Sequence, residues 1–264
     1  MVSLAQCSRM RVRVGCCGFP VAQQKYYDSF HLVELQSTFY QLPRESTLQR
    51  WRDSAPSSFE FVVKAWQVIT HPSTSPTWKR SKLTFGKAKA ARYGYLQPTA
   101  ENFEAFRRTL ETCNLLQARI CLIQCPPSFL PTPKNVGNIK RFLTRIDRRN
   151  LTIVWEPRGS WLEKPQLIRK LCDELRVVHV VDLLRHNPVS SVNLVYCRLH
   201  GLGRREVNYA YRYTDDDLHQ LARKLSALQK MGCKDAYILF NNVNMFEDAK
   251  RFSKLLSRNQ ATRY

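Results

Sequence analysis

Side chains able to move protons or hold charge recur in this sequence at one kind of place, the last residues of short apolar runs. Glu34 and Gln36 interrupt the run around Leu32, Val33 and Leu35, Lys64 follows Phe61, Val62 and Val63, and Gln124 closes the run from Ile120. Glu156 follows Ile153 and Trp155, Asp182 follows Val180 and Val181, and Arg198 and His200 alternate with Cys197 and Leu199. Carboxylates near an imidazole serve as general acid and base, while a lysine and an arginine grip an anionic group. The chemistry these types suggest is acid–base work on a phosphate-bearing or sugar-like substrate. Glu34, Lys64, Glu156, Asp182 and His200 are the candidate catalytic residues, with Gln36, Gln124 and Arg198 as substrate contacts.

Such residues meet only if the runs are strands of one sheet. Eight β-branched or apolar runs are visible, at 11–17, 32–37, 59–65, 119–125, 151–156, 177–182, 192–200 and 237–241. Helix-like stretches lie between or after them at 46–54, 99–116, 134–148, 165–175, 215–231 and 245–257. Parallel strands need crossovers and closure removes both edges, so the expected fold is α/β, a single (β/α)8 TIM-type barrel of eight parallel strands over residues 1–264. An open doubly wound sheet is the second choice, but no G-x-G-x-x-G is present. Strand side chains alternate faces, so Val195, Cys197 and Leu199 pack outward and leave Tyr196, Arg198 and His200 looking into the barrel. The same parity turns Glu34, Gln36, Lys64 and Glu156 inward, near the C-terminal rim where barrel enzymes place their chemistry. Isolated buried charges cost several kcal/mol, so this set either pairs with itself as an inert plug or serves a ligand. His200 beside Arg198 is expected to be neutral.

The ordered segments Val14-Gly15-Cys16-Cys17-Gly18-Phe19, Tyr26-Tyr27 and Val33 to Tyr40 resemble the opening of the domain of unknown function 72 family (YecE-like). Phe61 to Ala65 with Ile69-Thr70-His71, Gln124 to Phe129, Glu156-Pro157-Arg158 with Ser160-Trp161, Arg198-Leu199-His200-Gly201 and Phe240-Asn241-Asn242 extend the resemblance from about residue 12 to 256. The resemblance implies a single barrel of the triosephosphate-isomerase type, related to sugar-isomerase and endonuclease-like barrels, in a family without a settled activity. It also implies that the inward residues named above belong to a shared pocket; Tyr40, His71, Arg158, Trp161, Asn241 and Asn242, in the matching segments, are further candidate substrate contacts. Gln36 stands where the family usually has Asn, and Cys16-Cys17 replaces a small-residue pair.

A divalent metal would need three or more converging carboxylates or imidazoles, which Glu34, Glu156, Asp182 and His200 could supply, but Lys64 and Arg198 in the same cavity disfavour it. No metal site is assigned and the cofactor is left open. Attack on a glycosidic bond by two carboxylates stays open too, because their separation is not readable. Cys17 ends the first strand without an identified base, so a structural thiol is the simpler reading. Tyr40, Trp66 and Trp161 could stack on a sugar or base, or simply pack.

Lys and Arg number 42 against 21 Asp and Glu, a formal charge of +21, so a polyanion is the natural partner class. The connection after the third strand, an irregular insertion at about 72–98, carries Lys79, Arg80, Lys82, Lys87, Lys89 and Arg92 and no acidic residue. Arg204 and Arg205 stand near Tyr209, Tyr211 and Tyr213 in a second irregular stretch. These eight cations are candidate nucleic-acid contacts, and a nucleic-acid-binding protein with an inert pocket is the alternative function; DNA and RNA are not distinguished. Nine cysteines without a C-x-x-C spacing, no long apolar run and an arginine-bearing start lead to the expectation of a cytoplasmic chain without a membrane span or signal peptide.

Overall fold

A computed structural model describes residues 9–81, 83–190 and 193–261. Among the described residues, eight parallel strands close a barrel in chain order, with β8 pairing back to β1. They are β1 (Arg11–Cys17), β2 (Leu32–Leu35), β3 (Glu60–Lys64), β4 (Ile120–Gln124), β5 (Thr152–Glu156), β6 (Val178–Val181), β7 (Leu194–Leu199) and β8 (Asp235–Phe240). The helices are α1 (Gln23–Tyr27), α2 (Ser37–Tyr40), α3 (Glu45–Ser54), α4 (Lys87–Ala90), α5 (Ala100–Leu115), α6 (Pro133–Arg145), α7 (Pro165–Leu175), α8 (Asp215–Lys230) and α9 (Met245–Ala261). The α/β barrel expected from the alternation is the fold of this chain. The return from β6 to β7 departs from the regular pattern, since it carries no helix among the described residues.

Strand parity sorts the apolar residues into two layers. Val195, Cys197 and Leu199 join the large layer between strands and helices, while Tyr196 packs inside the barrel with Cys17, Leu32, Val62, Leu122, Val154 and Leu239. Helix starts are fixed by side chains that accept otherwise orphaned N–H groups. Thr99 accepts from Asn102 N and Thr132 from Asn135 N, and Thr214 and Asp217 form a reciprocal box at α8.

The N-terminal end of the barrel has its own polar floor, which parity reasoning at the other rim did not bring out. Arg13 pairs with Asp235 at 2.9 Å and with Glu60, and the Tyr237 hydroxyl donates to Glu60 at 2.8 Å. At the opposite end the segment between β3 and α5 forms a folded flap with short turns at Gln67–Ile69 and Pro76–Arg80. Trp78 anchors it edge-on to Phe85 and Tyr93, which stack on each other at 5.0 Å. Gly94 lets the flap close, because its φ is +83° and a Cβ there would lie 2.7 Å from the Pro72 backbone.

The β1–β2 seam shows how local chemistry sets the register. A Cβ at Gly15 would come within 2.3 Å of the Leu32 carbonyl oxygen, so the strands approach closely there and pair only at Cys16 with Val33 and Cys17 with Glu34. The buried Tyr26 hydroxyl bridges the seam, donating to Leu32 O and accepting from Cys16 N, each at 2.8 Å. Tyr26→Phe strands both backbone groups and is expected to lower the unfolding free energy in urea by about 2–4 kcal/mol. A loss under about 0.5 kcal/mol would contradict that role.

Candidate active site

Arg198 stands at the centre of the C-terminal end of the barrel. It is 1% exposed, and its two terminal nitrogens reach carboxylates from two other strands, Glu34 of β2 at 2.9 Å and Glu156 of β5. Nη1 also reaches Gln124 Oε1 of β4 at 3.5 Å. Glu34 is filled further by the Tyr196 hydroxyl at 2.7 Å and by Gln36 Nε2. Glu156 takes two more bonds from Arg158, from Nε at 2.9 Å and Nη2 at 2.6 Å, and Arg158 Nη2 lies 3.1 Å from His200 Nε2. Two carboxylates and two guanidiniums thus neutralise one another, with Glu34 and Arg198 fully buried and Arg158 at the partly exposed edge.

The electrostatics follow from that count. Burial pushes Glu156 upward, but Arg158 and Arg198 outweigh it and hold the carboxyl well below its usual range. Burial likewise opposes the Arg198 charge, and Glu156 with Glu34 more than restores it. His200 is driven well below the usual histidine range by burial first and Arg198 second, so it is neutral for a broader reason than the like-charge repulsion expected from sequence. Among the described residues Lys64 makes no ion pair. Its Nζ donates to Gln36 Oε1 at 3.3 Å and lies 4.2 Å from the Phe39 ring centre, and burial together with Arg198 brings its pKa down to about 7. His71 is lowered to about 3 by burial and Lys64, with its Nδ1 2.8 Å from the Thr70 hydroxyl.

A cavity of about 880 Å³ opens above this network, beneath the flap. Gln36, Tyr40, Lys64, His71, Gln124, Arg158, Asn241 and Asn242 of the expected residues line it, with Arg80 of the flap and the exposed Tyr209. Glu34 lies outside that lining. Glu156, Asp182, Arg198 and His200 instead border a neighbouring crevice of about 40 Å³. Asp182 accepts from Leu184 N of its own connection and, at 3.4 Å, from His200 N, and stands 3.7 Å from Arg185; burial raises its pKa to about 6. Trp161 corrects an expectation drawn from sequence: it is fully buried against Trp155 and Phe129 and donates to the Phe129 carbonyl, so it offers no face to a ligand. Tyr211 and Tyr213 are also engaged, with Asp217 and Gly201 respectively. Cys17 is buried, and burial with the nearby Glu34 charge keeps it a thiol.

The donor set does not suit a divalent ion. Both inward glutamates are spent on guanidiniums, and among the described residues no group of three or more His, Cys, Asp or Glu side chains could hold a metal. Of the basic residues, Lys79, Arg80, Lys87, Lys89 and Arg92 are exposed on the flap and Arg204 and Arg205 on the β7–α8 connection, and of these Arg80 lines the cavity. Arg92 is paired with Glu101. Lys82 lies outside the described residues. Arg11 and Arg13 belong to the opposite end, paired with Asp235. Tyr196 follows from the same alternation that exposed Arg198. Arg185 and the cap of Glu206 over Gly159 N, at 3.3 Å, have no sequence signal that would single them out.

Arg198→Met leaves two buried carboxylates short of a partner and is expected to cost about 3–5 kcal/mol of unfolding free energy at neutral pH. A cost under about 1 kcal/mol would contradict the pairing. The His71 ring binds its proton at about 3 when folded and 6.5 is the ordinary value, so it contributes nothing above 6.5. As pH falls below that, the unfolded chain takes up a proton the fold refuses, and stability drops by about 1.4 kcal/mol per pH unit from this group. His71→Gln should therefore lose stability less steeply than the parent on acidification; parallel curves in acid-dependent urea melts would contradict this.

The family model described as "Protein of unknown function DUF72" matches residues 22–263. The UPF0759 protein YunF of Bacillus subtilis (strain 168) is 26% identical over 245 residues, spanning 83% of this chain and 79% of that one. Among solved structures, a DUF72 family protein from Enterococcus faecalis V583 superposes with a TM-score of 0.70 at 20% identity, covering 94% of this chain and 98% of its own. A xylose isomerase domain containing protein from Salmonella typhimurium LT2 shares the fold at a TM-score of 0.56 and 15% identity, over 96% and 98% of the two chains. With the match running almost end to end, the chain belongs to the DUF72 family of proteins of unknown function.

Proposed function

We propose that this barrel is an enzyme that binds an anionic, phosphate-bearing or sugar-like substrate in the mouth cavity and transfers protons within it. One observation carries the reading: the cavity wall holds Lys64, Arg80 and Arg158 and, among the described residues, no carboxylate. A surplus of cations over a polar wall of Gln36, Gln124 and Asn241 favours an anion with hydroxyl groups. Arg158 has a nitrogen to give, since Nη1 makes no hydrogen bond among the described residues while Nε and Nη2 hold Glu156. Lys64, on the wall and lowered to about 7, is the group placed to take or give a proton near neutral pH, while His71 on the same wall stays neutral there and can only hydrogen-bond the substrate. Glu34, Glu156, Arg198 and His200 act behind them as positioning residues, with Asp182 accepting from the His200 backbone N–H.

A second reading, nucleic-acid binding through the basic face, is favoured by Arg80. Its guanidinium lies 3.7 Å from the Tyr40 ring centre, and both residues also line an adjoining groove with Arg44, so the cationic wall runs out of the mouth along the surface. A backbone phosphate chain would follow such a track and lose affinity steeply with salt.

Titration calorimetry with glycerol 3-phosphate tests the first reading. Saturable binding is expected, weakened about 10–150-fold in Arg80→Gln, the effect of losing one charge-assisted contact. No heat of binding at millimolar ligand would remove the anionic-substrate site. Filter binding of single-stranded oligonucleotides across a salt series tests the second, which fails if affinity does not fall as salt rises.

A further inference from the structure

Lys64 is the exception in the barrel interior. Arg13, Arg158 and Arg198 each sit on a carboxylate, whereas among the described residues Lys64 has no ion pair. The charged groups that face it are already committed to others. Glu34 from β2 and Glu156 from β5 are held by Arg198, Tyr196 and Arg158, and the two guanidiniums oppose a third positive charge. The amine is held instead by an amide oxygen, Gln36 Oε1, and by the face of Phe39, at the end of β3 on the wall of the cavity. A nitrogen in that setting has a lone pair to use and faces a space large enough for a small substrate.

We propose that Lys64 is a nucleophilic amine that condenses with the carbonyl of an open-chain sugar phosphate to form an imine in the mouth cavity. The inference rests on the anionic-substrate reading above and deepens it. Arg80 and Arg158 take the phosphate, which brings the carbonyl carbon to Nζ. The nitrogen lone pair forms the new C–N bond, the carbonyl π pair moves to oxygen, and a proton passes from nitrogen to that oxygen. The remaining N–H proton, transferred in turn, converts the resulting hydroxyl into water, which leaves as the nitrogen lone pair forms the C=N bond. Amine and carbonyl thus become imine and water with no change of oxidation state. His71, neutral and on the same wall, is placed to hydrogen-bond the carbinolamine hydroxyl. With Lys64 lowered to about 7, roughly half of it is neutral at pH 7, against about one in three thousand for an ordinary lysine near 10.5. That difference is what lets one lysine stand out among the many on this cationic surface.

The test is reductive trapping of the full chain with glyceraldehyde 3-phosphate and cyanoborohydride at neutral pH, followed by peptide mass mapping. Glycerol 3-phosphate, which has the phosphate but no carbonyl, is the competitor, and its binding is measured in parallel. The expected result is an adduct on the Lys64 peptide that forms at least about tenfold faster than on any other lysine, is suppressed by glycerol 3-phosphate and is absent from Lys64→Arg. Binding of glycerol 3-phosphate with no preferential adduct at Lys64 overturns the imine and leaves the anionic site standing. A Lys64 adduct that glycerol 3-phosphate does not suppress overturns the assignment of a phosphate-bearing substrate to this amine. Absence of both binding and adduct removes the site and the imine together.

Discussion

The upper end of this barrel depends on one guanidinium reaching two carboxylates. Arg198 comes from β7, Glu34 from β2 and Glu156 from β5, so a single buried side chain ties together strands from three parts of the ring. Charges this deep are tolerated only when each has a partner and its remaining hydrogen-bonding capacity is met, which Tyr196, Gln36, Gln124 and Arg158 do. The network is close to saturated, although Arg198 Nε remains buried without a partner among the described residues.

A saturated network has a consequence for whatever is left out of it. Because both glutamates are engaged, neither is available to Lys64, and the two guanidiniums make its neighbourhood unfavourable for another cation. The flap, held down by Trp78 and the turn at Gly94, then roofs a space whose wall carries cations and amides. Binding energy from an anion and a reactive amine therefore arise from one arrangement: the charges that stabilise the barrel interior also shape the mouth.

Much of this was legible in the residues alone. The β7 alternation of Val195, Cys197 and Leu199 with Tyr196, Arg198 and His200 determines which side chains look inward, and the same period-two argument places Glu34, Lys64 and Glu156. What alternation does not contain is depth. It groups Lys64 with Glu34 as equivalent rim residues, whereas one lines the cavity and the other lies beneath it. Nor does it reveal rotamers on turns, which is why Trp161 looked available for stacking but is packed on Phe129, and why Asp182 is shared between Arg185 and the His200 backbone. The floor formed by Arg13, Glu60, Asp235 and Tyr237 obeys the same parity at the opposite ends of the strands. The basic insertion at 72–98 read as irregular because its order comes from non-periodic aromatic contacts among Trp78, Phe85 and Tyr93 within it.

The account stands on the state of one amine, and that state can be observed without any ligand. A heteronuclear NMR titration of the side-chain amines in protein labelled on lysine, assigned by comparison with Lys64→Arg, follows the Lys64 nitrogen through its protonation. A midpoint near 7, well separated from the other lysines, is the result this structure requires. A midpoint with the ordinary lysines, near 10.5, would mean that Lys64 finds compensation the network does not show, and would contradict the central claim.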